Sequence, residues 1–379
     1  MITKNEKKLI HFVTISLVLS LLYLFNISII SKIGFICILL FFIVLFIATI
    51  IKFIHWKIDA IFSLYLIILV INVCNLIARF NFQAVYVFFQ ITALLLIPVV
   101  ATKLQLNQKV FDAITSRIEI ITVVLAIISI GLNLLKMENR IISTTYYKAL
   151  LGGILVILYK RHHVLTFLLS FFLLYVLGER TSALIVVIYW IGLFMIKRVK
   201  SKKMITILFC LGMLALWVFP YFYVNLSTTS LGTMINTFVK EKTGENFFSG
   251  RHVIWKTALS QPNIFYGLGL GNNYLQSFEI SFSTHNLYIF IYLVGGYLTL
   301  LPILLFFILL AINILNKKKS YLMVWISILI LVTFELILLN NNMTVSLWLW
   351  IIVSIGLVNY KKEDEENRNE EIYCMHSNL

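Results

Sequence analysis

Acidic side chains are scarce in this sequence. Aspartate and glutamate number 16 in 379 residues, all charged residues together make up 12%, and the mean hydropathy is +0.97. With 61% hydrophobic residues, no soluble core of ordinary composition can hide so much apolar surface, which excludes a typical soluble fold and leaves lipid as the main solvent. Helix breakers are also few, with 16 glycines and 4 prolines. The runs of Ile, Leu, Phe and Val lack the alternation of about ten residues that marks an outer-membrane barrel, so helices are expected to cross the membrane. Cys37, Cys74, Cys210 and Cys374 are scattered, without the spacing of a metal site, and three lie in apolar runs where packing explains them. No Asp-x-Asp motif of the metal-binding type is present.

Basic residues are the abundant charge, and their 31 members set a net charge of +15. In a soluble protein this would point to nucleic acid. Here the cations fall in short clusters between apolar runs, a pattern that records topology and argues against a nucleic-acid patch. About 20 apolar residues cross a bilayer core. On that length the sequence predicts an all-α polytopic membrane protein with about twelve spans, near 9–30, 33–51, 58–77, 84–101, 118–135, 141–159, 164–177, 183–196, 204–224, 286–312, 321–339 and 343–358. The first run is long enough to span and lacks a small-residue cleavage site, so it reads as a helix and not as a signal peptide.

With both termini cytoplasmic, 21 of the 31 basic residues lie inside, from Lys4/Lys7/Lys8 to Lys361/Lys362/Arg368. A ten-span arrangement would demote 141–159 and fuse 164–196 into one helix, placing Glu179 and Arg180 near mid-bilayer, at about 2.5–3.5 kcal/mol per charge. The hairpin is preferred. Its limbs are short, so the turn Gly178–Ser182 should sit below the outer surface, lining protein or a wet cavity. The expected layout is a membrane domain over 1–362, including a large external loop at 225–285 between spans nine and ten, followed by an acidic cytoplasmic tail at 363–379.

The external loop is too aromatic for a flexible linker and is the place where chemistry is expected. Phe248–Trp255 reads as a turn entering a short helix, with Arg251 in the first turn, where free backbone N–H groups attract anions, and Trp255 four residues on along the same face. Such an Arg can equally cap a solvated helix. Gly267-Leu268-Gly269-Leu270-Gly271 lacks the spacing of a dinucleotide loop and suggests a backbone approaching a ligand or the membrane closely. His285-Asn286 stands where the chain re-enters the membrane, and a histidine there is a candidate general base, though a lone interfacial His is more commonly structural. Glu335 is the one acid deep in an apolar run, where it can pair with a cation or bind protons. Topology alone puts Arg180, Arg251 and His285 on one side, a set of cationic groups suited to a diphosphate.

Glu179-Arg180-Thr181-Ser182, Arg251 with Trp255, the Gly267–Gly271 series and Thr284-His285-Asn286-Leu287-Tyr288 together resemble the O-antigen polymerase and O-antigen ligase superfamily, membrane glycosyltransferases of the GT-C type. The order and spacing match over about 165–315, while the N-terminal half matches in hydropathy only. Glu179 departs from the family, where small residues are common at that position. The resemblance implies an inverting, metal-independent enzyme without a cofactor, in which a growing glycan leaves undecaprenyl diphosphate for a newly flipped lipid-linked repeat unit. Arg180 and Arg251 would hold the diphosphate and His285 would orient or deprotonate the acceptor hydroxyl, with Trp255, Gly267, Gly269, Gly271 and Asn286 at the substrate. The implied partners are the lipid-linked oligosaccharide, the bilayer, a flippase and a chain-length regulator. A ligase shares these motifs, and polymerase is favoured because no extra external domain for a protein acceptor is evident. A transporter of lipid-linked oligosaccharide is the alternative of another class; it would spread polar residues through many spans, whereas here they cluster in and beside one loop.

Overall fold

The computed structural model describes residues 2–25, 27–53, 58–78, 80–135, 146–175, 180–244, 246–248, 250–261, 265–270, 284–339 and 343–361. In lipid every backbone polar group must be satisfied within the chain, and apolar runs of this length meet that demand as helices. The described residues form α1 (Lys4–Leu21), α2 (Ser28–Phe53), α3 (Ala60–Ala78), α4 (Phe82–Lys103), α5 (Gln108–Leu134), α6 (Tyr146–Tyr159) and α7 (His163–Tyr175). They continue with α8 (Arg180–Arg198), α9 (Lys202–Ser227), α10 (Ser230–Thr243), α11 (Arg251–Leu259), α12 (Leu287–Lys317), α13 (Leu322–Phe334) and α14 (Met343–Ile355). The protein is an all-α, multi-pass membrane protein: among the described residues eight helices are long and apolar enough to cross a bilayer, and four shorter apolar helices fall at 146–159, 163–174, 319–334 and 343–355. These helices overlap the apolar segments read from the sequence, eight of them at a length that spans a bilayer.

Boundaries differ from hydropathy where capping intervenes. A capping box between Thr3 and Glu6 starts α1 ahead of its apolar run. Asn107 accepts from the backbone of Lys109 and starts α5 ten residues before the predicted span. The segment expected at 321–339 is helical only to Phe334, and Glu335 is already extended. The described parts of the expected hairpin limbs at 164–177 and 183–196 are α7 and α8; the expected turn at Gly178 and Glu179 lies outside the described residues, as do Gly271 and the acidic tail.

The chain divides into two compact units, Met1–Lys57 with Leu96–Tyr189 and Thr344–Leu379, and Ile58–Leu95 with Trp190–Met343. In the first unit α6 is buried from Tyr146 to Leu158 and packs on α5 and α7. At one end of this unit the chain forms a parallel ribbon, β1 (Gln105–Asn107) with β2 (Asn359–Lys361), in the register Leu106 to Tyr360. Glu6 supports it by accepting from the backbone N–H of Asn107 at 2.7 Å.

In the second unit α12 is the central element, packed on α3, α9, α11 and α13. It is broken at Gly296, whose φ of 58° is open to glycine and strained for other residues. The described residues of the predicted external loop include two helices. The first, α10, turns Leu231, Met234 and Phe238 outward at helical spacing and ends on Gly244 in the left-handed conformation, with Lys240 and Lys242 in its last turn. An exposed apolar stripe with basic residues beside it is the pattern of a helix lying in a membrane interface. The second, α11, brings the candidate site to the start of α12.

Candidate functional site

Trp255 anchors α11. Its indole is fully buried, packs on Tyr223 of α9 with ring centroids 4.9 Å apart, and sits among Phe248, Ile254, Ala258, Ile289 and Leu293. The indole Nε1–H donates to the carbonyl of Thr284 at 2.7 Å, tying the helix to the residue before His285. This dual demand, an apolar body and a satisfied N–H, explains why tryptophan suits the position. Trp255 was expected at the substrate; in this structure its indole is fully buried in the cluster beneath the loop.

Asn286 caps two helices with one side chain. Its Oδ1 accepts from the backbone N–H of Ile289 at 2.9 Å in the first turn of α12, and its Nδ2 donates to the carbonyl of Thr333 at 2.7 Å in the last turn of α13. The Thr284 hydroxyl adds a bond to the Asn286 carbonyl at 3.1 Å. Both termini expose backbone groups that helical bonding leaves over, so the buried amide fills a need at each. Asn286, also expected at the substrate, is likewise fully buried.

These anchors hold His285 at φ 46°, a left-handed conformation uncommon for a residue with a side chain. Its Nδ1 lies 3.9 Å from Glu335 Oε2, while Arg251 Nη2 lies 3.5 Å from Glu335 Oε1. The carboxylate that hydropathy buried inside a span therefore stands just past the end of α13, between a guanidinium and an imidazole. Arg251 and Glu335 are 23% and 18% exposed and His285 is 40% exposed, so the group is shielded on one side and reachable on the other. Arg251 is placed by Gly250, whose φ of 73° lets the chain turn into α11 at that residue. Beside it, His252 packs edge-on against Phe248 with ring centroids 5.4 Å apart and keeps Nδ1 buried without a hydrogen-bond partner. The sequence reading passed over His252, whose only signal was its adjacency to Arg251.

The glycine series serves α12. Leu268 and Gly269 donate backbone N–H groups to the carbonyls of Leu293 and Val294 at 2.6 and 2.9 Å, and Leu298 donates back to Phe265 at 3.2 Å. A Cβ on Gly267, at φ 70°, would stand 2.5 Å from the nitrogen of Gly296. The close approach expected of these glycines is thus made to the broken turn of a helix, which places Gly267 and Gly269 in packing contact with α12; Gly271 lies outside the described residues.

Arg180 is the first residue of α8, followed by the fully buried Ser182, and belongs to the first unit. Arg251, Trp255, His285, Asn286 and Glu335 belong to the second. Among the described residues no group of three His, Cys, Asp or Glu side chains could hold a metal ion. The chemistry available at the site is that of a guanidinium for an anion, an imidazole for a proton and a carboxylate that positions both. No protein-family model matches the chain, and no curated protein does.

Proposed function

We propose that this protein is a glycosyltransferase of the cell membrane that polymerises a polysaccharide, taking a growing glycan from undecaprenyl diphosphate and joining it to a lipid-linked repeat unit on the outer face. The observation that carries the proposal is the meeting of Arg251, His285 and Glu335 at 3.5 and 3.9 Å, on a support built from Trp255 and Asn286. Resemblance to the O-antigen polymerase and ligase superfamily supplies the reaction class.

In this reading the acceptor hydroxyl attacks the anomeric carbon of the donor sugar with inversion. The new glycosidic C–O bond forms as the bond to the diphosphate breaks, the electron pair leaves on undecaprenyl diphosphate, and the acceptor's proton passes to His285. Arg251 grips the diphosphate and offsets the charge that develops on it, work that an activated leaving group allows a guanidinium to do. Because Arg251 is paired with Glu335 before substrate arrives, the diphosphate takes over part of that pairing. Glu335 then remains beside Nδ1 of His285, which leaves Nε2 for the acceptor. Arg180 joins this reading through the sequence resemblance alone.

The proposal includes twelve spans, cytoplasmic termini and an external segment at 225–285. Single cysteines replacing Glu241 and Lys200 in a chain without its own cysteines test this: an impermeant maleimide should label the first in intact cells and the second only after lysis. The reverse pattern sinks the topology and the enzyme with it. For the reaction, a strain lacking the protein should stall at one lipid-linked repeat, and Arg251→Ala and His285→Ala should reproduce the stall with the protein still in the membrane. Full-length glycan left on its lipid carrier in the deletion strain would assign a ligase; single repeats held on the cytoplasmic face would assign a transporter.

A further inference from the structure

The backbone of Phe247 is held from two helices at once. Its N–H donates to Asn236 Oδ1 of α10 at 2.8 Å, and its carbonyl accepts from the Tyr223 hydroxyl of α9 at 3.2 Å. The Phe247 ring is 41% exposed, so these two bonds locate a residue that burial alone does not. Tyr223 is itself fixed: it is buried, with its ring centroid 5.1 Å from that of Phe248 and 4.9 Å from that of Trp255. Asn236 stands one turn after Gly232 on the same side of α10, and a Cβ on Gly232 would collide with the Leu226 carbonyl oxygen in the last turn of α9. That close approach seats α10 on the end of α9 and presents Asn236 to Phe247, while Leu231, Met234 and Phe238 stay exposed.

Phe247 lies four residues before Arg251. Phe248, next in the chain, is buried in the Trp255 cluster, and its carbonyl accepts from the Arg251 N–H at 3.0 Å. Gly250 turns the chain into α11, whose first residue carries its guanidinium to 3.5 Å from Glu335. The path from the clamped peptide to Arg251 is therefore short and anchored at Phe247 and Phe248. An exposed segment can satisfy its backbone groups with water. Two side chains converging on one peptide also fix its position, which matters where a charged group must meet a ligand, since a misplacement of about 1 Å can cost on the order of 100-fold in rate.

We propose that Tyr223 and Asn236 are positioning residues for Arg251: by clamping the two polar groups of the Phe247 backbone they set where α11 begins, and so where the guanidinium meets a diphosphate. The diphosphate rests on the glycosyltransferase reading; the clamp stands on its own hydrogen bonds.

Three variants of the full chain in detergent test it, each measured by hydrogen–deuterium exchange and by titration with inorganic pyrophosphate. Tyr223→Phe keeps the ring on Trp255 and removes the hydroxyl; Asn236→Leu removes the acceptor; Asn236→Asp restores one at the same reach. In the first two, the peptide that carries Phe247 and Arg251 should exchange about fivefold to tenfold faster, and pyrophosphate should bind about tenfold more weakly. Asn236→Asp should match the wild type in both. A dissociation constant read from the midpoint of a titration does not move with the folded fraction, so a merely structural loss would leave it unchanged. Because the clamp is removed from two different helices, one variant that does not fold leaves the other to decide. Equal exchange in all the chains overturns the clamp, and wild-type pyrophosphate affinity in Tyr223→Phe and Asn236→Leu despite faster exchange overturns the positioning role. A wild-type chain that shows the expected exchange pattern yet binds no pyrophosphate overturns the diphosphate reading and leaves the clamp in place.

Discussion

Replacing Asn286 isolates the double cap on which the site rests. The side chain is fully buried, with its Oδ1 on the Ile289 amide and its Nδ2 on the Thr333 carbonyl. Asn286→Ala removes the N-cap of α12, a loss of about 1 kcal/mol. It also takes the amide away from a buried carbonyl at the end of α13, about 1–3 kcal/mol more. The total is about 2–4 kcal/mol, large against the marginal stability of most folded chains. Asn286→Ser keeps an oxygen for the cap but cannot reach Thr333, so it should recover about 1 kcal/mol of that loss. Heating the purified protein in detergent and following the monodisperse fraction should give the order wild type, then Asn286→Ser, then Asn286→Ala. Both variants should also lose glycan extension beyond their loss of stability, because His285 and Glu335 flank the two helix ends that Asn286 joins. Equal melting of the three proteins would refute the double cap, and a wild-type melting point in Asn286→Ser alone would confine the effect to α12.

The other predictions concern neighbouring contacts. Glu335→Gln keeps the shape but removes the counter-ion of Arg251, so affinity for the lipid diphosphate should hold or rise while turnover falls; steady-state kinetics showing an unchanged turnover would remove Glu335 from the site. Arg180→Lys should lose most glycan extension despite the retained charge, since a planar two-point grip on phosphate is lost; full complementation by Arg180→Lys would leave a point-charge role, and by Arg180→Ala none. Gly267→Ala should lower the melting point, because φ 70° costs a residue with a Cβ about 1–2 kcal/mol and that Cβ would meet the Gly296 nitrogen at 2.5 Å; a variant that melts like the wild type would show that the broken turn of α12 yields to it.

Much of the architecture is legible without coordinates because the bilayer imposes a length. A run of apolar residues either can or cannot cross lipid, and that condition is local, so the long apolar helices could be read from composition alone. Short-range signals did as well: Arg251 and Trp255 do share a helix that opens after Gly250. What hydropathy could not reveal is set by contacts between residues distant in the chain. Nothing in Glu335-Leu336-Ile337-Leu338-Leu339 looks unlike a span, and α13 stops at Phe334, where Asn286 takes the Thr333 carbonyl. The glycines at 267 and 269 read as a loop seeking a ligand, while their partner is the backbone of α12 at Leu293–Gly296, a match visible only once both segments are folded. Glu335 could be recognised as an unusual acid from its neighbours in sequence. That it stands between Arg251 and His285 depends on α11, α12 and α13 packing together, because an ion pair is made by distance in space, and distance in sequence does not encode it.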